Sequence, residues 1–96
     1  MSNKKPWGYI WTIQDMCIWK GALEVLSITI PSTQATAQEV KIRDGRDVSS
    51  NIVARLFGTK YHTGHYCFPE PLHLENGLFV EFVGGPTGVL VIWRPL

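Results

Sequence analysis

The sequence predicts an all-β fold: a small antiparallel β-sandwich or jelly-roll-like barrel of about eight strands. Three observations carry that expectation. Strand-forming runs recur about every ten residues, Gly, Pro, Asn and Asp separate them, and apolar residues alternate at period two with little helical periodicity. The 96 residues suit one modest core, so residues 1–96 read as a single domain, with residues 1–20 as a Trp-rich interaction arm.

In the first run, Trp7, Tyr9, Trp11 and Ile13 share one face and Gly8, Ile10 and Thr12 the other, because successive side chains of a strand point to opposite sides. Gln14 and Asp15 read as a turn into the short strand Cys17-Ile18-Trp19-Lys20, which Gly21 ends. From Leu23 to Ile30 the alternation sets Leu26, Ile28 and Ile30 against Ser27 and Thr29, and Pro31 stops it. Residues 32–37 have the small polar composition of a surface loop. Val40 and Ile42 then alternate with Glu39, Lys41 and Arg43 up to Asp44-Gly45, a dipeptide suited to a tight turn with positive φ at the glycine.

Residues 49–57 fit two readings. Ile52, Val53, Leu56 and Phe57 have helical spacing behind capping residues Ser49, Ser50 and Asn51, yet the alternation and the strand-rich surroundings favour a strand. A polar loop over residues 59–64 leads to Tyr66 and Phe68 on one face and Cys67 on the other, after which Pro69 and Pro71 break the run and Leu72 and Leu74 start a short new one. Asn76-Gly77 signals a turn before Leu78–Val83. Residues 84–88 then form a glycine-rich reversal into Val89–Trp93. The last two strands are expected to pair as a hairpin. Both are apolar on both faces apart from Glu81, which places them centrally or under a partner.

Composition excludes several functions. Nine Lys plus Arg against eight Asp plus Glu give a formal charge of +1, and only Lys4-Lys5 concentrates basic residues, so nucleic-acid binding through a basic face is not expected. Gln14 and Asp15 end the first apolar run too soon for a signal peptide, and Glu24 interrupts the stretch from 22 to 37, so neither secretion nor a membrane span is expected. The chain is 18% charged, below the roughly 25% of an average soluble domain, and holds four Trp, which points to surface that meets another protein. Cys17 and Cys67 make no disulfide framework; reduced thiols are the simpler reading, with one bridge allowed by their separation.

The reactive side chains gather at His62, His65, Cys67 and His73. They are weak metal-ligand candidates, since the spacing matches no common zinc finger or ribbon, and loop histidines with an unreactive thiol are the plainer reading. His65 and Cys67 lack an orienting carboxylate for nucleophilic catalysis. Asp44 and Asp47 fit turn chemistry better than a calcium loop, and the glycines at 84–88 lack the lysine and helix of a phosphate cradle. No catalytic residue and no cofactor is expected. The stronger candidates are Trp7, Tyr9, Trp11 and Trp19, as core or as a subunit interface, with carbohydrate stacking as the alternative.

In the second half, Val40-Lys41-Ile42-Arg43-Asp44-Gly45, Glu75-Asn76-Gly77-Leu78-Phe79-Val80 and Gly88-Val89-Leu90-Val91-Ile92-Trp93-Arg94-Pro95 follow one another. This order resembles a group of small tailed-bacteriophage virion proteins with a compact β-sandwich. The resemblance covers residues 23–96 and leaves out the Trp-rich residues 7–19. It implies a non-enzymatic part of the particle, assembled in the host bacterial cytoplasm: a capsid decoration (cement) protein bound to the major capsid or another virion protein and arranged as a homo-oligomer, commonly a trimer. The alternatives it implies are a tail or head-to-tail component, and a tail component would suit the carbohydrate-binding reading.

Overall fold

The computed structural model describes residues 5–31, 38–58, 63–83 and 88–96. They form β1 (Gly8–Thr12), β2 (Met16–Trp19), β3 (Leu23–Ile30), β4 (Gln38–Asp44), β5 (Asn51–Gly58), β6 (Gly64–Leu74), β7 (Leu78–Val83) and β8 (Val89–Pro95). Two four-stranded antiparallel sheets result, β1-β8-β3-β6 and β2-β7-β4-β5. Only β4 and β5 are consecutive in the chain and paired; every other connection crosses between sheets, which is the strand order of a jelly roll.

The core follows from period-two alternation on facing sheets. Leu23, Val25, Ile28, Ile30, Val89, Val91 and Leu74 enter it from the first sheet, and Val40, Ile42, Leu56, Leu78 and Val80 from the second. These buried residues are all aliphatic, each contributing about 1.5–3 kcal/mol relative to exposure. Aromatic residues lie at its margins, where Tyr66, Phe68, Phe82 and Trp93 pack against it half-buried.

The expected β7–β8 hairpin does not form. Each strand is central, but in opposite sheets, with β7 between β2 and β4 and β8 between β1 and β3. Adjacent apolar strands read as a hairpin because sequence proximity favours pairing, yet the crossing lets both inner faces enter one core from opposite sides. β3 corrects a second expectation. Its core residues are Leu23 and Val25, then Ile28 and Ile30, so the phase slips at Leu26, where the register with both β6 and β8 shifts. A bulge there takes Leu26 out of the inward set that alternation assigned it to.

The two prolines do not end β6. The strand runs through Pro69 and Pro71, which sit in the register shift opposite Leu26 on an edge strand, where a missing N–H leaves no ladder bond unmade. Asp44 does end β4, but the connection is the longer loop 45–50, closed by Asp44 facing Asn51. Gly45 does not supply positive φ; it is buried so tightly that a Cβ would collide with the Ser50 side chain. Gly77 is the described glycine with positive φ, at +143°, and a Cβ there would lie 2.7 Å from the carbonyl oxygens of Gly45 and Trp19. Residues 49–57 resolve as strand from Asn51 onward, with Ala54 and Leu56 turned inward and Val53, Arg55 and Phe57 exposed. The polar loop at 32–37, residues 59–62 and the reversal at 84–87 lie outside the described residues.

Candidate functional site

β1 is an edge strand of the first sheet, and the alternation of its sequence divides it cleanly. Thr12 is buried and Ile10 half-buried against the core, so the opposite stripe faces outward. Tyr9 is 80% exposed, Trp11 47% and Ile13 66%. In register, Tyr9 lies beside Ile92 and Trp11 beside Leu90 of β8, both half-buried on the same outer face. The result is an apolar patch on the outer surface of the sheet. Trp11 is held in place because its indole lies over Gly88, where a Cβ would come within 2.8 Å of ring atoms.

The other two aromatic candidates are engaged within the chain. Trp7 is half-buried under the Arg94 guanidinium, 3.9 Å above its ring centre, and Arg94 Nε donates to Glu24 Oε1 at 3.0 Å. A cation held over an indole face is attracted by the ring quadrupole, so this end of the stripe is already satisfied. Trp19 comes from β2 in the opposite sheet and meets Trp93 of β8 with ring centres 5.4 Å apart and planes tilted by 45°. That contact closes one end of the sandwich across the layers, leaving Trp19 40% exposed. The expected arm over residues 1–20 is thus built into the sandwich from Gly8 onward, supplying one edge strand to each sheet.

The weak metal candidates are not brought together. His65 and Cys67 share the outer face of β6, but His65 Nδ1 is hydrogen-bonded to Thr29 Oγ1 at 2.7 Å. His73 is opposite Glu24 while His65 is opposite Thr29, which separates the imidazoles by on the order of 15 Å along the strand. His73 instead lies 3.4 Å from Glu75. Among the described residues, no group of three or more His, Cys, Asp or Glu side chains is placed to hold a metal ion; His62 lies outside them. Cys17 and Cys67 are free thiols on the outer faces of different sheets.

A polar depression of about 620 Å³ lies where the β2–β3, β4–β5 and β6–β7 connections meet, lined by Gly21, Asp44, Arg46, Asp47, Asn51 and Asn76 among others. Its carboxylates serve the loops. Asp44 Oδ1 accepts the Asn76 N–H at 2.8 Å, and Asp47 Oδ1 accepts the Ser49 hydroxyl at 2.6 Å and the Ser49 N–H at 2.9 Å. Those bonds from Ser49, the hydroxyl's first, hold the Asp47 carboxyl below its ordinary value. Turn chemistry accounts for both aspartates, and none of the depression's lining residues among those described is aromatic.

No protein-family model matches the chain, and no curated protein does. The candidate site is therefore defined by the chain's own surface: the outward stripe of β1 and the neighbouring outer face of β8. Alternation in the sequence placed Tyr9 and Trp11 on one face, as the structure has them. Leu90 and Ile92 escaped notice as their neighbours, since only the β1–β8 pairing sets them alongside.

Proposed function

We propose that this protein is a non-enzymatic structural component that works by binding other protein subunits, and that it belongs to a phage particle as a capsid decoration protein or a neighbouring head-to-tail or tail component. The observation that carries the reading is the exposure of Tyr9, Trp11 and Ile13 beside Leu90 and Ile92. Aromatic residues are enriched at subunit interfaces, where their large apolar area is removed from water. The eight-stranded jelly roll adds fold-level analogy, since viral capsid domains use it, though lectins and cupins do too.

Carbohydrate binding is the weaker reading on the same residues. Sugar recognition needs polar groups around a stacking ring, whereas the neighbours of Tyr9 and Trp11 on β8 are Ile92 and Leu90, and the polar depression has no aromatic platform among the described residues. The test is co-sedimentation of the purified protein with expanded, undecorated capsid shells. Saturable binding lost on Trp11→Ala supports the virion reading. Protein left in the supernatant with shells, but retained on a panel of bacterial surface glycans, would replace it with the carbohydrate reading.

A further inference from the structure

The four edge strands of the two sheets are not alike. β2 is four residues long with a register irregularity between Cys17 and Trp19. β5 is bulged opposite the Ile42/Arg43 step, and Tyr66 occupies its edge by accepting the Phe57 N–H and donating to the Phe57 carbonyl, both at 2.9 Å. β6 carries Pro69, Pro71 and a bulge. Short length, bulges, prolines and side-chain coverage are the devices that stop a sheet edge from pairing with another chain. Among the described residues, β1 has no bulge, no proline and no side-chain cover: Gly8-Tyr9-Ile10-Trp11-Thr12, one residue longer than β2, is regular throughout its pairing with β8 and holds no charge.

We propose that the free edge of β1 pairs antiparallel with β1 of a second copy of this chain, with Ile10 on the two-fold axis, joining the two first sheets into one continuous eight-stranded sheet. This deepens the reading of the molecule as an assembly protein and rests on it. The occupant follows from the strand itself. A two-fold axis at Ile10, the midpoint of β1, pairs all five of its residues and sets Tyr9 opposite Trp11 of the partner twice over, on the outer face. No like charges meet, because the strand carries none. The exposed parts of Tyr9 and Trp11 amount to roughly 250 Å² per copy on aromatic side chains of about 200 Å² each, against about 800 Å² per partner in a standard interface. Ile13 adds only part of the shortfall and the backbone hydrogen bonds add affinity rather than area, so the contact stays well below a standard interface and the dimer is weak and reversible.

Sedimentation equilibrium up to about 1 mM tests it, a range that reaches millimolar dissociation constants. A concentration-dependent dimer is expected, shifted to monomer by Tyr9→Lys alone and by Tyr9→Lys with Trp11→Lys, with circular dichroism confirming that both variants keep their strand signal. Register is read by cross-linking: with Cys17 and Cys67 replaced by Ser, chains carrying Tyr9→Cys and chains carrying Trp11→Cys are mixed and oxidised. The mixed disulfide should form faster than either self-disulfide. A monomer throughout the range, a trimer, a dimer indifferent to both lysine variants, or preferential self-disulfides would each overturn the proposal. Capsid co-sedimentation separates this from the broader reading, since a β1 dimer that ignores shells retains the pairing and sinks the virion role, while a monomer that binds shells does the reverse.

Discussion

The outer faces of the two sheets solve the same problem differently. On the second sheet, β4 and its neighbours turn Glu39, Lys41, Arg43, Arg55 and Glu81 outward, and Arg43 ties two strands together: its Nη2 is 2.8 Å from Glu81 Oε1 and its Nη1 donates to the Ser50 carbonyl at 2.6 Å, while Arg55 lies 3.9 Å from Glu39, whose Oε2 has no hydrogen-bond partner among the described residues. On the first sheet, the β1–β8 half presents Tyr9, Trp11, Leu90 and Ile92, with the Glu24–Arg94 ion pair at its end against Trp7. The second face mixes these charges with the exposed Val53 and Phe57 of β5, whereas the β1–β8 half of the first gathers its exposed apolar residues into one patch. The gathered patch is the more informative of the two, because scattered apolar residues among charges need no partner to explain them.

That contrast makes the inner faces equivalent and the outer ones unequal, which mutation can break. The largest effects belong to the core: Ile28→Ala in the first sheet and Ile42→Ala in the second should each cost about 2–5 kcal/mol by urea denaturation, and a much smaller cost in either would show that its sheet does not carry the core. On the charged face, Arg43→Met leaves Glu81 and the Ser50 carbonyl without their shared donor, for a loss of about 1–3 kcal/mol in the same measurement. At the stapled edge, Tyr66→Phe removes two hydrogen bonds to Phe57 and should cost about 1–2 kcal/mol, with faster amide exchange at Phe57.

Smaller effects sharpen the comparison on the exposed sides. Tyr9→Ser should change monomer stability by no more than about 0.5 kcal/mol while weakening self-association, a separation that Tyr66→Phe cannot produce. Asp47 has a folded-state value below its unfolded one, so its contribution is present above the unfolded value and lost as pH falls through the folded value. Ser49→Ala should raise the Asp47 midpoint toward the ordinary carboxylate value in a carbon-detected NMR titration, and an unchanged midpoint would mean that Ser49 does not set it.

Much of the fold was legible because period two is a strong local signal. Trp7 to Ile13 alternated as the structure has them, residues 51–57 of the ambiguous 49–57 segment formed the favoured strand, and Asn76-Gly77 marked a turn that Gly77 makes with positive φ. What local pattern could not reach was phase and partner. One bulged residue at Leu26 reverses which face of β3 is inward, and nothing in a period-two run marks where such a residue falls. Pairing of β7 and β8 was misjudged for a related reason, since proximity in sequence says little about which sheet a strand joins once the chain crosses between layers.

The division of the aromatic candidates belongs to the same class of decision. The sequence by itself determined an all-β chain of short strands, one stripe of large residues on β1, and the aspartates at 44 and 47 as turn-formers, because each depends on neighbours a few positions away. Only tertiary structure decided that Ile10 and Thr12, smaller than the residues beside them, face the core while Tyr9 and Trp11 face out, that Arg94 holds Trp7, and that Trp93 holds Trp19. The face of β1 with the larger side chains is the one turned outward, and the choice between faces is made by what the opposite sheet has room to receive.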